Sequence, residues 1–280
     1  MLIQASGDMI PALTKIWAEC FGDSEDYIDL FMKKRFVPKD TLVSVNGSGE
    51  ITGCGYLLPC SFAEIKTEGL YLYAGGVFER FRGQGYYDEI LAQITERCKT
   101  EQFSCVLNSH DDLKKMYFAH GFKETHHCKK IRTDISGTNA REHNQNIKLN
   151  ISNANAAEYT ALRNEYFTSP GTVIWDTAAV SYAIKENIYC GGVCDKLSLD
   201  GADYLIFAKK EPGSLYITET TLPGALLKTI AEPLCRYYKV NSITADLPLD
   251  DDCNGDIVNT AISFGEDNIP KNAWCGLMLI

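Results

Sequence analysis

The spacing of hydrophobic residues changes several times near the N-terminus. Apolar residues recur every three or four positions from residue 9 to residue 21, which predicts an amphipathic helix capped at Ser6 or Asp8. Ser24 can cap a second helix directly after it. Short apolar or alternating runs bounded by turn residues then predict strands over residues 41–45, 51–58, 61–67 and 70–77.

The next segment has the order strand, glycine-rich loop, helix, strand. Residues 87–99 carry one apolar face at helical spacing, and residues 103–107 form a short apolar run that predicts a buried strand. A helix over 111–119, broken at Gly121, and a strand over 122–131 complete this part of the chain.

Residues 136–146 are polar and have no apolar period, which is typical of a linker. We therefore predict a first domain over 1–135, a linker over 136–147 and a second domain over 148–280. The fold class is mixed α/β, with two α+β domains that each have a central, mostly antiparallel sheet flanked by helices. The second domain repeats the coarse order of the first, with helices near 155–167, 177–186 and 223–238 and strands near 188–197, 202–209, 214–219 and 241–247.

The composition limits the classes of binding partner and the cellular compartment that we expect. A chain of 280 residues with 45% hydrophobic residues is long enough for two cores, and its net charge of −10 argues against nucleic acid. An acidic surface favours a cationic substrate such as an amine. The sequence has no long apolar run and no signal-peptide pattern, which predicts a cytoplasmic protein without a membrane partner. Its 11 cysteines lack paired CxxC spacing, so we expect reduced thiols and no metal.

One segment joins two glycines to the start of a helix: Arg82-Gly83-Gln84-Gly85-Tyr86-Tyr87. Such a string alone is usually an ordinary turn, but this one follows an apolar strand and leads into an amphipathic helix. The unpaired amide groups of a helix N-terminus converge on one point and favour an anion. Arg80 and Arg82 can add positive charge there.

This segment resembles the cofactor motif Q/R-x-x-G-x-G/A of the GNAT acetyltransferase superfamily, with Tyr87 in the place of the last small residue. The chain is similar to tandem relatives of the enhanced intracellular survival type, in which a degenerate second domain follows the first. The resemblance covers residues 1–135 well and 150–280 loosely. It implies that acetyl-CoA is a co-substrate and that the acetyl group passes directly to a primary amine of a small molecule or peptide.

The resemblance also implies roles for particular residues. The strand at Gly75 and Gly76 would splay from its neighbour and bind the pantetheine arm through its backbone, and the loop would hold the pyrophosphate. Asn108, at the end of a flanking strand, would contact the cofactor or a bound water. The implied cofactor-binding residues are Gly75, Gly76, Val77, Arg82, Gly83, Gln84, Gly85, Tyr86, Tyr87 and Asn108.

A second signature contains the implied catalytic residue. Tyr117 opens the string Tyr117-Phe118-Ala119-His120-Gly121-Phe122, which matches the family's Y-x-x-x-G-F. Its hydroxyl would protonate the departing thiolate as a general acid. The general base stays open among Glu64, Glu68, Glu79, His110 and the terminal carboxylate of Ile280.

The corresponding segment of the second half, residues 220–226, has no such glycine motif, so a second cofactor site is not expected. We expect this domain to shape the acceptor pocket or to pair with another subunit in a homo-oligomer. Glu219 and Trp175 are candidates for lining such a pocket, although both residue types are also ordinary in a core. The alternative to an enzyme is a non-catalytic acyl-CoA-binding or partner-assembly module.

Overall fold

The computed structural model describes residues 1–135, 147–265 and 269–277. The helices are α1 Ile10–Phe21, α2 Glu25–Lys34, α3 Tyr86–Glu101, α4 Lys114–Ala119, α5 Ala156–Tyr166, α6 Thr177–Tyr189, α7 Gly224–Thr229 and α8 Ala231–Tyr238. The strands are β1 Leu2–Gln4, β2 Thr41–Val45, β3 Ile51–Phe62, β4 Ile65–Val77, β5 Ser104–Leu107, β6 Lys123–Asp134, β7 Asn150–Asn153, β8 Val173–Ile174, β9 Val193–Leu199, β10 Ala202–Glu211, β11 Ser214–Thr220, β12 Ser242–Leu247 and β13 Asp256–Phe264. Among the helices described, none is long and apolar enough to cross a membrane.

The chain divides into two compact units. The first unit is Met1–Thr125 with Ala261–Ile269, and the second is His126–Thr260 with Pro270–Ile280. This division differs from the predicted boundary in two places, because most of β6 pairs with β12 and the end of β13 pairs with β5. The predicted linker over 136–147 lies outside the described residues except for its last residue.

The first unit is built on a mostly antiparallel sheet. Its strand order is β1, β2, β3, β4, β5 and then the end of β13. Every neighbouring pair is antiparallel except β4 with β5, which is parallel. Side chains alternate between the faces of the sheet, so each face can hold a separate layer of helices.

Those two faces have different packing. On one face, Trp17 of α1 and Phe31 of α2 pack against the rings of Tyr56 and Tyr73. On the other face, leucines of β3 and β4 form an aliphatic core with isoleucines of α3: Leu57, Leu70, Leu72, Ile90 and Ile94. The helices α1 and α3 therefore hold β4 between them, and β4 contains the two adjacent glycines.

Two expectations for this unit are wrong in detail. Neither Ser6 nor Asp8 caps α1, because a 3₁₀ turn over Gly7–Met9 comes first and the helix begins after it. The predicted strand 61–67 is not one element, because its first two residues end β3 and Ala63 and Glu64 form the hairpin turn. Its remaining residues are continuous with the predicted strand 70–77, and together they form β4. The predicted cap at Ser24 is confirmed, since its Oγ accepts a hydrogen bond from the Tyr27 N–H at 3.3 Å.

The second unit repeats the pairing pattern of the first. Its strand order is β7, β9, β10, β11, β12 and β6. Again every pair is antiparallel except one, the parallel pair of β11 with β12. The prediction of two sheet-and-helix domains with similar architecture is confirmed by this match.

Two predicted elements of the second unit have different bounds. The predicted helix 223–238 is two helices, α7 and α8, and Pro233 in the first turn of α8 cannot donate the hydrogen bond that a continuous helix would need. The predicted strand 188–197 begins only at Val193, because α6 continues to Tyr189 and Gly191 then turns the chain in the left-handed region.

Candidate active site

The sheet of the first unit opens between β4 and β5. The parallel register runs from Gly69 with Ser104 to Tyr71 with Val106. Past this point β4 continues to Val77, whereas β5 ends at Leu107. The far end of β4 therefore presents a backbone edge to the gap, and such an edge is a template for a ligand that can accept and donate hydrogen bonds.

A β-bulge shapes that edge. Cys54 pairs with Gly76 and Tyr56 pairs with Tyr73, so Ala74 and Gly75 together oppose Gly55. Ala74 has a φ of 47°, in the left-handed region that non-glycine residues rarely adopt. A bulge bends its strand, and this one lies beyond Tyr71, the last residue of β4 in the register with β5.

The two glycines of β4 are required by close contacts on opposite faces. A Cβ on Gly75 would lie 2.4 Å from the hydroxyl oxygen of Tyr87, and a Cβ on Gly76 would lie 2.7 Å from Sγ of Cys20. Both distances are below normal contact, so neither position accepts a side chain without a shift. Binding of the pantetheine arm by this backbone stays a prediction.

The glycine-rich loop turns directly into α3. Gly83 and Gly85 have φ values of 73° and 83°, and a Cβ at either position would meet nothing within 4 Å. These glycines are therefore needed for their backbone conformation and not for space. The N–H of Glu89 donates to the carbonyl of Gly85, so the amide groups before it form the open N-terminus of a 16-residue helix. The macrodipole of α3 favours an anion at this end.

Side chains fix the loop from both sides. Arg82 donates through Nε to the Val77 carbonyl at 3.2 Å, and its Nη2 lies 3.7 Å from Sγ of Cys20. Gln84 donates through Nε2 to the carbonyl of Arg80 at 3.1 Å. Arg80 itself pairs with Glu50 at 2.7 Å.

Two tyrosine hydroxyls meet at the inner end of the gap. The Oη atoms of Tyr87 on α3 and Tyr117 on α4 are 3.0 Å apart, and the two rings make an edge-to-face contact. Burial raises the pKa of both hydroxyls above the ordinary value of tyrosine. Only 6% of Tyr117 is exposed, so its hydroxyl stays protonated at neutral pH and can act as a proton donor.

These features surround one cavity of about 660 Å³. Of the residues that the sequence predicted, nine line it: Gly75, Gly76, Val77, Arg82, Gly83, Gly85, Tyr86, Tyr87 and Tyr117. Gln84 and Asn108 are not among the lining residues: the Gln84 side chain bonds to the loop itself, and Asn108 is exposed beyond the end of β5. Sequence reasoning missed the other lining residues, which are Cys20, Phe21, Phe81, Asp88, Asp112, Leu113 and Met116.

The candidate bases lie elsewhere. Glu64, Glu68, Glu79 and His110 are exposed, and within the described part of the chain none of them lines the cavity. Ile280 lies outside the described residues. The carboxylates that do line the cavity belong to Asp88, which is 3.0 Å from Nε2 of His120, and to Asp112, which is exposed.

The corresponding place in the second unit is filled by the protein's own groups. The N–H of Gly224, the first residue of α7, donates to Oδ2 of Asp251 at 2.8 Å, so a carboxylate already lies where the first unit has an open helix end. Glu219 is fully buried and accepts hydrogen bonds from Tyr159, Arg163 and Trp274. These contacts place Glu219 in a core network and not on a pocket wall.

Comparison with known proteins gives the fold. No family model and no curated protein matches the chain. Among solved structures, the chain is similar to Eis1 from Mycobacterium abscessus, with a TM-score of 0.67 and 9% identity over 95% of this chain and 74% of that one. It is similar to GCN5-related N-acetyltransferases from Anabaena variabilis ATCC 29413 (TM-score 0.68, 13% identity, 95% and 72%) and from Kribbella flavida (0.67, 13%, 94% and 70%). The predicted resemblance to the GNAT superfamily, with Eis1 among the neighbours, is confirmed at the level of the fold.

Proposed function

We propose that the first unit is an N-acetyltransferase that binds acetyl-CoA and transfers its acetyl group directly to a primary amine. The observation that carries this proposal is the single cavity that joins the free edge of β4, the open N-terminus of α3 and the hydroxyl of Tyr117. The fold is shared with structures of GCN5-related N-acetyltransferases, which supports the same class of reaction.

The parts of acetyl-CoA match the parts of the cavity. The amide groups of Gly83 and Gly85, with the guanidinium of Arg82, supply donors and positive charge for a pyrophosphate. The edge of β4 at Gly75 and Gly76 supplies backbone groups for the amides of the pantetheine arm. Acetyl-CoA extended along this edge has its thioester at the inner end of the gap, beside Tyr117.

Direct transfer needs one proton donor at the sulfur. The amine nitrogen attacks the thioester carbonyl carbon, the carbon–sulfur bond breaks, and the sulfur leaves as a thiolate that takes the proton of the Tyr117 hydroxyl. The attacking amine gives up a proton to solvent or to a cavity carboxylate, and Asp88 and Asp112 are the ones described there. The phenolate of Tyr117 regains its proton from solvent when the products leave.

The first test is calorimetric titration with acetyl-CoA of the wild-type protein and of two variants, Gly83→Asp and Gly83→Asn. Asn and Asp both tolerate the left-handed region and are nearly equal in size, so the pair differs in charge alone. We expect Gly83→Asn to keep most of the affinity and Gly83→Asp to lose at least about tenfold more, because its carboxylate repels the pyrophosphate.

Turnover is then measured as release of free coenzyme A thiol with a panel of primary amines. Acetyl-CoA binding with amine-dependent thiol release supports the transferase. Binding without turnover of any amine would favour the non-catalytic acyl-CoA-binding module. A folded wild-type protein that does not bind acetyl-CoA would overturn the proposed function.

A further inference from the structure

Tyr87 stands where the cofactor motif has a small residue, and its side chain does not point away from the site. It enters the gap from α3, and its hydroxyl lies 3.0 Å from the hydroxyl of Tyr117 on α4. Tyr117 is buried and Tyr87 is half-buried, so this contact between the two hydroxyls is partly shielded from water.

A phenol oxygen has one proton to donate and lone pairs that accept. If Tyr117 donated its proton to Tyr87, that proton would not be directed at a sulfur in the cavity. If Tyr87 donates instead, the Tyr117 proton is free to point at the thioester. Only the second arrangement suits a proton donor for the leaving group.

We propose that Tyr87 is a positioning residue for acyl transfer, whose hydroxyl donates a hydrogen bond to the oxygen of Tyr117. This bond orients the Tyr117 proton toward the cavity and stabilises the phenolate that remains after the proton moves to sulfur. The inference rests on the proposed function and adds to it a two-phenol donor in place of a single tyrosine.

Tyr87 is the neighbouring group that can stabilise the phenolate of Tyr117. Burial raises the pKa of Tyr117, and the hydrogen bond from Tyr87 acts in the opposite direction and lowers it. The other titratable or charged groups near the pair are Cys54 on β3, Cys105 on β5, Asp88 on α3, and Arg82 and Asp112 on the cavity wall. Arg82 is occupied at the other end of the cavity by Val77 and Cys20, so the hydroxyl of Tyr87 is the described group in contact with the Tyr117 oxygen.

Gly75 gives Tyr87 the space it needs. A Cβ there would lie 2.4 Å from Oη of Tyr87, 3.0 Å from Cε2 and 3.1 Å from Cζ. Gly75 does not have a positive φ, so alanine fits its backbone and the contact falls mainly on the hydroxyl. A substitution Gly75→Ala would therefore displace the Tyr87 hydroxyl while leaving Tyr87 itself in the sequence.

The test does not depend on knowing the acceptor. Coenzyme A leaves as a thiol, and a proton donor at the sulfur lowers the pKa of the bound thiol. This pKa is obtained from the pH dependence of coenzyme A binding by calorimetry. We expect Tyr87→Phe to bind coenzyme A at neutral pH with nearly wild-type affinity and to raise the pKa of the bound thiol. With an amine that turns over, we expect kcat to fall by roughly tenfold and KM to change little.

A matched control is available in the same unit. Tyr27 and Tyr73 form another hydroxyl pair, 3.2 Å apart, outside the residues that line the cavity. Tyr27→Phe removes an equivalent hydroxyl from this unit, and we expect it to leave the pKa of the bound thiol and kcat at wild-type values.

Gly75→Ala supplies an independent variant. It should raise the pKa of the bound thiol as Tyr87→Phe does, and the double variant should be no worse than Tyr87→Phe, because the displaced hydroxyl is already absent. A wild-type thiol pKa and kcat in Tyr87→Phe, with normal coenzyme A binding, would overturn this inference and leave the proposed function intact. A folded wild-type protein that binds neither coenzyme A nor acetyl-CoA would overturn both this inference and the proposed function.

Discussion

At the scale of single residues, the hydroxyl of Tyr117 is the group whose removal should separate binding from chemistry. Tyr117→Phe keeps the ring packed against Phe122, with the two ring centroids 5.7 Å apart, and removes one oxygen from the cavity wall. We expect the acetyl-CoA affinity to change little and kcat to fall by about 10²- to 10⁴-fold, the usual contribution of a general acid. Calorimetry and thiol release measure the two effects separately, and an unchanged kcat would rule out Tyr117 as the donor.

Cys20 offers a chemical footprint of the same cavity. It is half-buried, lies against Gly76 and lines the cavity, whereas Cys190 in the second unit is exposed. We expect saturating acetyl-CoA to slow alkylation of Cys20 by at least about fivefold, because bound ligand excludes the reagent, and to leave Cys190 unaffected. Peptide mass spectrometry measures both sites in one sample.

The variant Gly83→Asp should lose this protection of Cys20, since it is expected to bind acetyl-CoA poorly. Equal alkylation of Cys20 with and without acetyl-CoA, in a protein that binds it by calorimetry, would place the ligand elsewhere.

Among the residues that line the cavity, those within a short motif were predictable from the sequence, whereas those that only tertiary packing brings there were missed. The loop glycines and Tyr117 were recognisable because their motifs are short and contiguous. Cys20 and Phe21 reach the cavity only because α1 ends beside β4, and neither residue has a signal of its own. Arg80 was expected near the anion, but its pairing with Glu50 on the neighbouring hairpin could not be derived from local spacing.

At the scale of elements, Glu219 joins several parts of the second unit. The carboxylate at the end of β11 accepts hydrogen bonds from Tyr159 and Arg163 of α5 and from Trp274, and Arg163 and Glu219 are both fully buried. Glu219→Gln would leave the buried Arg163 without its counter-charge. We expect the free energy of unfolding to fall by about 3–5 kcal/mol.

Urea denaturation measures this change. The matched control is Glu232→Gln, which removes the carboxylate from a pair with the exposed Arg236 within α8 and should have a small effect. If the two variants were equally stable, the buried network would not hold α5 on the sheet.

The bounds of some elements could not be predicted from the local sequence pattern. Gly69 lies in the predicted gap between strands 61–67 and 70–77, yet it pairs with Cys60 inside a continuous β4, where a Cβ would lie 2.7 Å from the Phe62 ring. Glycine is needed at this position because the side chains of the neighbouring strand lie too close for a Cβ, and not because the chain turns there. A sequence alone does not distinguish these two reasons for a glycine. In the second unit, the Asp251 carboxylate at the start of α7 is 27 residues away along the chain and carries no motif, although it closes the helix end that the first unit leaves open.

At the scale of the whole molecule, the two units have the same order of strand pairings, including one parallel pair in the same place. Duplication was predictable from the repeated order of helices and strands. The last strand of each sheet was not predictable. β6, which follows α4, pairs with β12 of the second unit, and the end of β13, near the C-terminus, pairs with β5 of the first unit. Strand pairing over such a separation leaves no trace in local periodicity.

The folding of the first unit therefore depends on a segment near the end of the chain. Ile262 of β13 pairs with Leu107, is fully buried and belongs to the core beneath α3, whereas Ile257 of the same strand is 66% exposed. We expect Ile262→Ala to lower the free energy of unfolding by about 2–5 kcal/mol through the cavity it leaves. Ile257→Ala should change it by less than about 0.5 kcal/mol.

A fragment of residues 1–135 extends this prediction to the whole strand. It contains every residue that lines the cavity but lacks the strand beside β5, so Leu107 and Phe122 would be exposed where Ile262 and Phe264 now pack. We expect the fragment to bind acetyl-CoA poorly and to show fast hydrogen exchange in β5. A fragment with the affinity and exchange protection of the full chain would mean that the first unit folds without its returning strand.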